Sequence, residues 1–281
     1  MQRILVIGAG VMGSGIAQNA AQAGYTVQMS DPDPAALGRA LGQIAASLDK
    51  LEAKGRLARG AREILANLSV AGDLMGAAQA DMVIEAAPEK LELKRRIFAQ
   101  VEDLASPSAV LASNTSSIPI STLAQGLKRP ERLLGLHFTP PVPLSPMVEV
   151  VRHQGTSEEA FQAGLELVKG LGKQPLAVRK DVTGFVINRV YAAALSQALA
   201  LVEQGVASAA EVDMGMRLGY GWSLGPMQIA DLVGLDTVLL IMDSFARQGE
   251  QCMTGGRGLV EEMVEQGRLG RKSGRGFYEY S

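Results

Sequence analysis

Cysteine is all but absent: Cys252 stands alone among 281 residues, so no disulfide can close within the chain and an oxidising compartment is not required. The cytoplasm is the expected location. An excess of one charge sign is missing too. With 27 Lys+Arg against 29 Asp+Glu, the formal charge of -2 supplies no cationic field for wrapping nucleic acid or lying on an anionic membrane. Long apolar runs are lacking as well. Ile4-Leu5-Val6-Ile7 meets Gly8 too soon for a signal sequence or a span, and the stretch from Val190 to Val202 is interrupted by Ser196 and Gln197, which marks a core helix. Neither nucleic acid nor a membrane is an expected partner, and no metal is expected. Histidine is scarce: His137 and His153 are the only two, so chemistry that needs a group titrating near neutral pH must use one of them.

What is present is a globular composition, 47% hydrophobic with 32 glycines, in a length that accommodates two domains. Strand and helix signals alternate through the first half. Strands are predicted at Ile4 to Ile7, Tyr25 to Ser30, Asp81 to Ala86, Ala109 to Ser113, Leu133 to Phe138 and Met147 to Val151. A helix is predicted from Met12 to Ala23, another from Pro34 with Leu37, Leu41, Ile44, Leu48 and Leu51 at helical spacing, and a third opened by a Thr156/Glu159 capping box. This alternation predicts an α/β fold, a Rossmann-type doubly wound parallel sheet. From Gly184 onward the signals are helical, which places a boundary near Asp181 to Gly184. Residues 1–182 are expected to bind a dinucleotide and residues 183–281 to form an all-helical domain.

Gly8-Ala9-Gly10-Val11-Met12-Gly13 follows the first strand and opens the first helix. In that context the first glycine permits the tight turn, the second lets backbone approach a pyrophosphate, and the third lets helix pack on strand. The helix N-terminus adds free N–H groups and a positive dipole end. Asp31 ends the second strand, about twenty residues on, where a carboxylate accepts ribose hydroxyls and repels a 2'-phosphate. NAD rather than NADP is therefore the expected cofactor.

His137 closes an apolar strand at the carboxyl edge of the predicted sheet, where ligands sit in open α/β folds. Glu149 is a charge among hydrophobes in Met147-Val148-Glu149-Val150-Val151. Two readings are open. In one, the pair is buried together, the carboxylate orienting the imidazole as a general base. In the other, Glu149 points outward on an edge strand and His137 is a satisfied core histidine. His153, between Arg152 and Gln154, is expected to be solvated.

The strings Ala112-Ser113-Asn114-Thr115-Ser116-Ser117-Ile118, Gly135-Leu136-His137-Phe138, Met147-Val148-Glu149-Val150, Thr183-Gly184-Phe185-Val186-Ile187-Asn188-Arg189 and Gly270-Arg271-Lys272-Ser273-Gly274-Arg275-Gly276-Phe277-Tyr278 resemble, in order and across the chain, the 3-hydroxyacyl-CoA dehydrogenase family. The resemblance implies an NAD-dependent oxidation of a short-chain (S)-3-hydroxyacyl-CoA, with His137 as base and Glu149 as its charge partner. It implies that Ser113 and Asn188 bind the substrate oxygen, that Glu89 and Lys94, with Ser113, contact NAD beside the glycine turn, and that Ser47 and Lys54 contact CoA. Independently, Lys50 and Lys54 share a helix face with Arg56 and Arg59 close in sequence, either a cradle for phosphates or an ordinary solvated face. A homodimer through the helical domain, with the active site in a cleft between domains, is also implied.

Two departures stand out. The family has Asn three residues after the catalytic His, where this chain has Pro140, and Lys where this chain has Pro146. The second brings the local spacing closer to relatives that oxidise free hydroxy acids. A CoA-independent dehydrogenase is therefore the alternative enzyme, and a dinucleotide-binding protein without turnover the alternative from another class.

Overall fold

A computed structural model describes residues 1–280. The chain divides into two compact units, Met1–Val182 and a second beginning at Thr183. In chain order the first unit holds β1 (Arg3–Ile7), α1 (Val11–Gln22), β2 (Thr26–Ser30), α2 (Pro34–Ala53), α3 (Ala61–Leu65), β3 (Leu68–Ala71), β4 (Met82–Glu85), α4 (Leu91–Leu104), β5 (Val110–Ser113), α5 (Ile120–Ala124), β6 (Leu133–Phe138), β7 (Met147–Val151), α6 (Glu158–Gly170) and β8 (Gln174–Val178). The second holds α7 (Ile187–Glu203), α8 (Ala209–Tyr220), α9 (Pro226–Val233), α10 (Leu235–Arg247) and α11 (Arg257–Glu265). No helix among the described residues is long and apolar enough to cross a membrane.

The eight strands form one sheet in the order β3-β2-β1-β4-β5-β6-β7-β8. Helices cover its faces, so the inner strands β4, β5 and β6 are buried at every position, as strands covered on both sides must be. Ile16, Ala17, Ala20 and Ala21 of α1 join Ile4, Val6 and Val27 in the core. Asp33 caps α2, its side chain accepting from Ala35 N, and Pro34 takes the first helical position, where its missing N–H costs nothing.

Beyond helices α4, α5 and α9, which were not individually expected, the structure departs from the sequence expectations as follows. One pair of neighbouring strands, β6 and β7, is antiparallel while the rest are parallel. The short edge strand β3 and helix α3 were not predicted: β3 has half-exposed ends and an exposed middle, so it carries no apolar alternation to read. The cap of α6 is Ser157, which accepts from Ala160 N, because Thr156 is buried with its hydroxyl donating to Leu133 O. His153 is buried rather than solvated, accepting from Gly155 N through Nδ1 and bonding Pro130 O through Nε2.

In the second unit, Leu195, Leu199, Met227, Val238, Met242, Phe245 and Val260 form the core. Two buried carboxylates organise the rest. Asp213 accepts from Met227 N at 2.8 Å, Gln228 N at 3.0 Å and Tyr278 OH at 2.7 Å, so it caps α9 and holds the C-terminal segment. Asp231 accepts from Phe277 N at 2.9 Å, Tyr278 N at 3.0 Å and Tyr280 OH at 2.9 Å. Burial, and then the bond to Asp231, push the Tyr280 hydroxyl up to about 12. A carboxylate so enclosed leaves donors stranded when altered. Asp231→Asn is therefore expected to cost the second unit about 3 kcal/mol, read from its midpoint in urea. An unchanged midpoint would count against this role.

Candidate active site

The order of the sheet reverses between β1 and β4, the switch point outside whose carboxyl ends ligands bind in open α/β sheets. The glycine turn lies there. Gly8 has φ +106, and a Cβ on it would lie 2.6 Å from Ala86 O, while one on Gly13 would lie 1.9 Å from Gly8 O. Both glycines are thus demanded by the protein's own packing. Gly10 differs: nothing of the protein lies within 4 Å of a Cβ there, so the space beside it is open to a ligand. A cavity of about 810 Å³ adjoins the turn, lined by Gly8, Asp31, Leu74, Pro88 and Ile97 among others. Asp31 accepts from Ala9 N at 2.9 Å with one oxygen and from Asp33 N at 2.9 Å with the other, which fixes the carboxylate at the cavity wall. Val11 and Met12 open α1, Val11 with 76% of its surface exposed. The residues fit a dinucleotide.

Along the same edge, His137 of β6 stands opposite Glu149 of β7. Directly opposed residues of an antiparallel pair project to one face with Cβ atoms about 5 Å apart. His137 Nδ1 and Glu149 Oε2 are 2.7 Å apart, and Glu149 has no exposed surface. A carboxylate only accepts, so Nδ1 carries the hydrogen in this bond. The antiparallel turn of direction decides between the two readings of the sequence: the pair is buried together. The segment between these strands is held from within, Lys173 Nζ donating to Val142 O at 2.7 Å, and burial pushes the Lys173 ammonium down. Val142 in turn closes over Gly15 of α1, where a Cβ would lie 2.9 Å from its own. Asn114 Oδ1 accepts from Phe138 N at 2.9 Å, pinning β6 just beyond His137.

Between the glycine turn and this pair lies a charged network that the sequence did not announce. Glu85, at the end of β4 and fully buried, accepts from Ala87 N at 2.7 Å, Lys94 Nζ at 2.6 Å and Ser113 Oγ at 2.6 Å. Lys94, 1% exposed, also donates to Ala87 O at 3.1 Å and forms an ion pair with Glu89, Oε2 lying 3.2 Å away. Glu89 Oε1 accepts from Ser116 N at 3.2 Å, Ser117 N at 3.1 Å, Ser117 Oγ at 2.9 Å and the Thr115 hydroxyl. Burial raises the Glu89 pKa, but the Lys94 charge and the Thr115 and Ser117 hydroxyls outweigh it, leaving the carboxyl below its ordinary value.

This network corrects the expectation for Ser113. Its side chain has no exposed surface and its hydroxyl hydrogen is given to Glu85, so it stands behind the site rather than facing a substrate or cofactor. The exposed serine of the same loop is Ser116. Lys94 is likewise enclosed and touches the edge of the site through Glu89. Elsewhere, Ser47 accepts from Gln18 Nε2 at 3.0 Å, and Lys54 is exposed just past the end of α2. Arg59 is not part of a phosphate cradle with it: its guanidinium donates to Ala21 O at 2.9 Å and Gln22 O at 3.1 Å, closing the end of α1. Asn188 lies half-buried in the first turn of α7.

Residues 3–182 match the family described as 3-hydroxyacyl-CoA dehydrogenase, NAD binding domain, and residues 184–280 match 3-hydroxyacyl-CoA dehydrogenase, C-terminal domain. The chain is 42% identical over 275 residues to a probable 3-hydroxybutyryl-CoA dehydrogenase of Deinococcus radiodurans, covering 98% of this chain and 99% of that protein. It is 41% identical over 283 residues to a 3-hydroxybutyryl-CoA dehydrogenase of Mycobacterium tuberculosis, covering 100% and 99%. The crystal structure of (S)-3-hydroxybutyryl-CoA dehydrogenase from Ralstonia eutropha superposes with a TM-score of 0.95 at 38% identity, covering 100% of this chain and 99% of that one. The cofactor is NAD. Asp31→Ala is expected to weaken NADH binding about tenfold or more and to narrow the preference over NADPH, measured by fluorescence titration; unchanged affinity for both would remove Asp31 from the site.

Proposed function

This chain belongs to the 3-hydroxyacyl-CoA dehydrogenase family, and from that membership we propose that it catalyses the reversible, NAD-dependent oxidation of a short-chain (S)-3-hydroxyacyl-CoA, such as 3-hydroxybutyryl-CoA, to the 3-oxoacyl-CoA. The observation that carries this reading is the His137–Glu149 pair, 2.7 Å apart, on the sheet edge that also bears the dinucleotide turn. With Nδ1–H donated to Glu149, the basic nitrogen of His137 is Nε2, which takes the proton of the 3-hydroxyl as hydride leaves C3. NAD, when bound, supplies the acceptor for that hydride. Glu149 keeps the tautomer and stabilises the imidazolium that forms, and in the reverse direction the same Nε2 returns the proton. Such a base contributes about a hundred- to ten-thousand-fold.

The remaining roles follow the same logic. Ser116 offers its exposed hydroxyl to the substrate oxygen, the role that Ser113 is too buried to fill. Asn188 is assigned to substrate binding on the family resemblance of its string alone. Glu89 accepts a cofactor hydroxyl on Oε2, the oxygen it shares with Lys94, while Lys50 and Lys54, both exposed, meet the CoA phosphates. His137→Gln is expected to cut turnover of acetoacetyl-CoA at least about a hundredfold while NADH binding survives, and wild-type enzyme is expected to reduce acetoacetyl-CoA far faster than free acetoacetate. Normal turnover in the variant would overturn the base; equal use of the free acid would overturn the thioester.

The chain works as a homodimer through its second unit. Helix α8 buries only Asp213, yet presents Met214, Leu218 and Tyr220, exposed to 55%, 82% and 80%. Met214 and Leu218 lie four residues apart on one face, an apolar surface of the kind that a monomer rarely leaves in water. Light scattering at micromolar concentration is expected to give twice the chain mass, and a monomer there would contradict it.

A further inference from the structure

Two loops at the sheet edge are sewn together at both ends. At the base, Glu85 of β4 is in register with Ser113 of β5, and carboxylate and hydroxyl bond at 2.6 Å; Asn114 N also donates to Glu85 O at 2.8 Å. At the tip, Glu89 gathers the backbone of Ser116 and Ser117 and the hydroxyls of Thr115 and Ser117 onto one oxygen. Lys94 joins base to tip, 2.6 Å from Glu85 and 3.2 Å from Glu89.

Of these groups, Glu85 and Ser113 are anchored on the sheet, and of the two only Glu85 meets Lys94. The backbone neighbours of Glu85 are Ile7 on β1, which leads into the glycine turn, and Ser113 on β5. Lys94 is enclosed and ion-paired to both carboxylates, so the position of its ammonium is set by their balance. Removing the charge of Glu85 would leave Lys94 with Glu89 as its only ionic partner, and the Glu89 carboxylate would be drawn inward, away from the four groups that it holds on the 115–117 loop.

We propose that Glu85 is a positioning residue that couples dinucleotide binding at Glu89 to the order of the substrate-facing loop at Ser116. The inference rests on the reading of Glu89 as a cofactor contact and Ser116 as a substrate contact. A ligand on Glu89 Oε2 fixes the carboxylate whose other oxygen organises the loop, and Glu85 keeps the intervening ammonium from taking up that change. Cofactor bound at one end thereby orders the substrate hydroxyl donor at the other, and by linkage the substrate tightens the cofactor equally.

The test uses acetoacetyl-CoA with NAD, a pair in which both partners are oxidised, so no turnover occurs. Calorimetry measures the affinity for acetoacetyl-CoA with and without saturating NAD. Wild type is expected to bind it at least about fivefold more tightly with NAD present. In Glu85→Gln that ratio is expected to fall to within about twofold of one, an effect that general loss of stability does not produce. Should Glu85→Gln fail to fold, Glu85→Gln combined with Lys94→Met leaves no buried charge unpaired and is expected to give the same flat ratio. A ratio of one in wild type, or a wild-type ratio in the variant, would overturn the coupling. Ser116→Ala separates the two levels: if it binds acetoacetyl-CoA normally, the assignment of Ser116 is wrong and the coupling falls with it, whereas weakened binding there beside a wild-type ratio in Glu85→Gln removes the coupling alone.

Discussion

A carboxylate with no access to water must be met by donors at hydrogen-bonding distance, because the effective cost of burying it unpaired is several kcal/mol. In this protein that requirement is imposed at Glu85, Glu149, Asp213 and Asp231, each 2% exposed or less, and each answer brings distant segments together. Glu85 ties β4 to α4 and β5. Glu149 ties β7 to β6 through the imidazole of His137. Asp213 and Asp231 tie the C-terminal segment to α8 and α9. The apolar core determines which faces turn inward; these acids determine register and contact where polar chemistry has to survive inside.

The reversal of β7 belongs to the same logic. In a wholly parallel sheet the glycine turn and His137 would still share an edge, but β7 would enter it from its other end and bring a different residue across from the imidazole. Running antiparallel, β7 sets Glu149 opposite His137 on one face. The loop that makes the reversal is correspondingly restrained, by Lys173 on its carbonyls and by the close seat of Val142 on Gly15.

Much of this is legible in the amino-acid sequence. The glycine turn and Asp31 were legible because each position answers a local constraint: φ, helix packing, or open space beside Gly10. His137 and Glu149 were legible as individual residues, a rare imidazole and an acid in an apolar strand, but their pairing depended on strand direction, which no local pattern encodes. Glu85 sent the same signal as Glu149, an acid closing Met82-Val83-Ile84, but its partners, a helix lysine and a strand-end serine, are common residue types with none of the rarity that marks an imidazole. The serine loop shows the limit of motif reading. Its string identifies the family, but which of Ser113, Ser116 and Ser117 faces outward depends on where β5 stops, and β5 stops at Ser113.

The two buried acids of the sheet differ in the side chain that answers them, an ammonium for Glu85 and an imidazole for Glu149. An ammonium keeps its proton through neutral pH, so a lysine partner is a fixed charge suited to holding geometry. An imidazole titrates near neutrality, so a histidine partner can gain and lose a proton while its other nitrogen stays bonded to the acid. Glu85 with Lys94 bears on its neighbours through position: on Glu89 at one side, on Ser113 at the other. Under the function proposed above, Glu149 with His137 is the pair that meets the reacting proton, Nδ1 held by the acid and Nε2 left to the substrate. Both pairs lie on one edge, with β4, β5, β6 and β7 adjacent in the sheet, so the lysine-held acid and the histidine-held acid share the edge that carries the glycine turn.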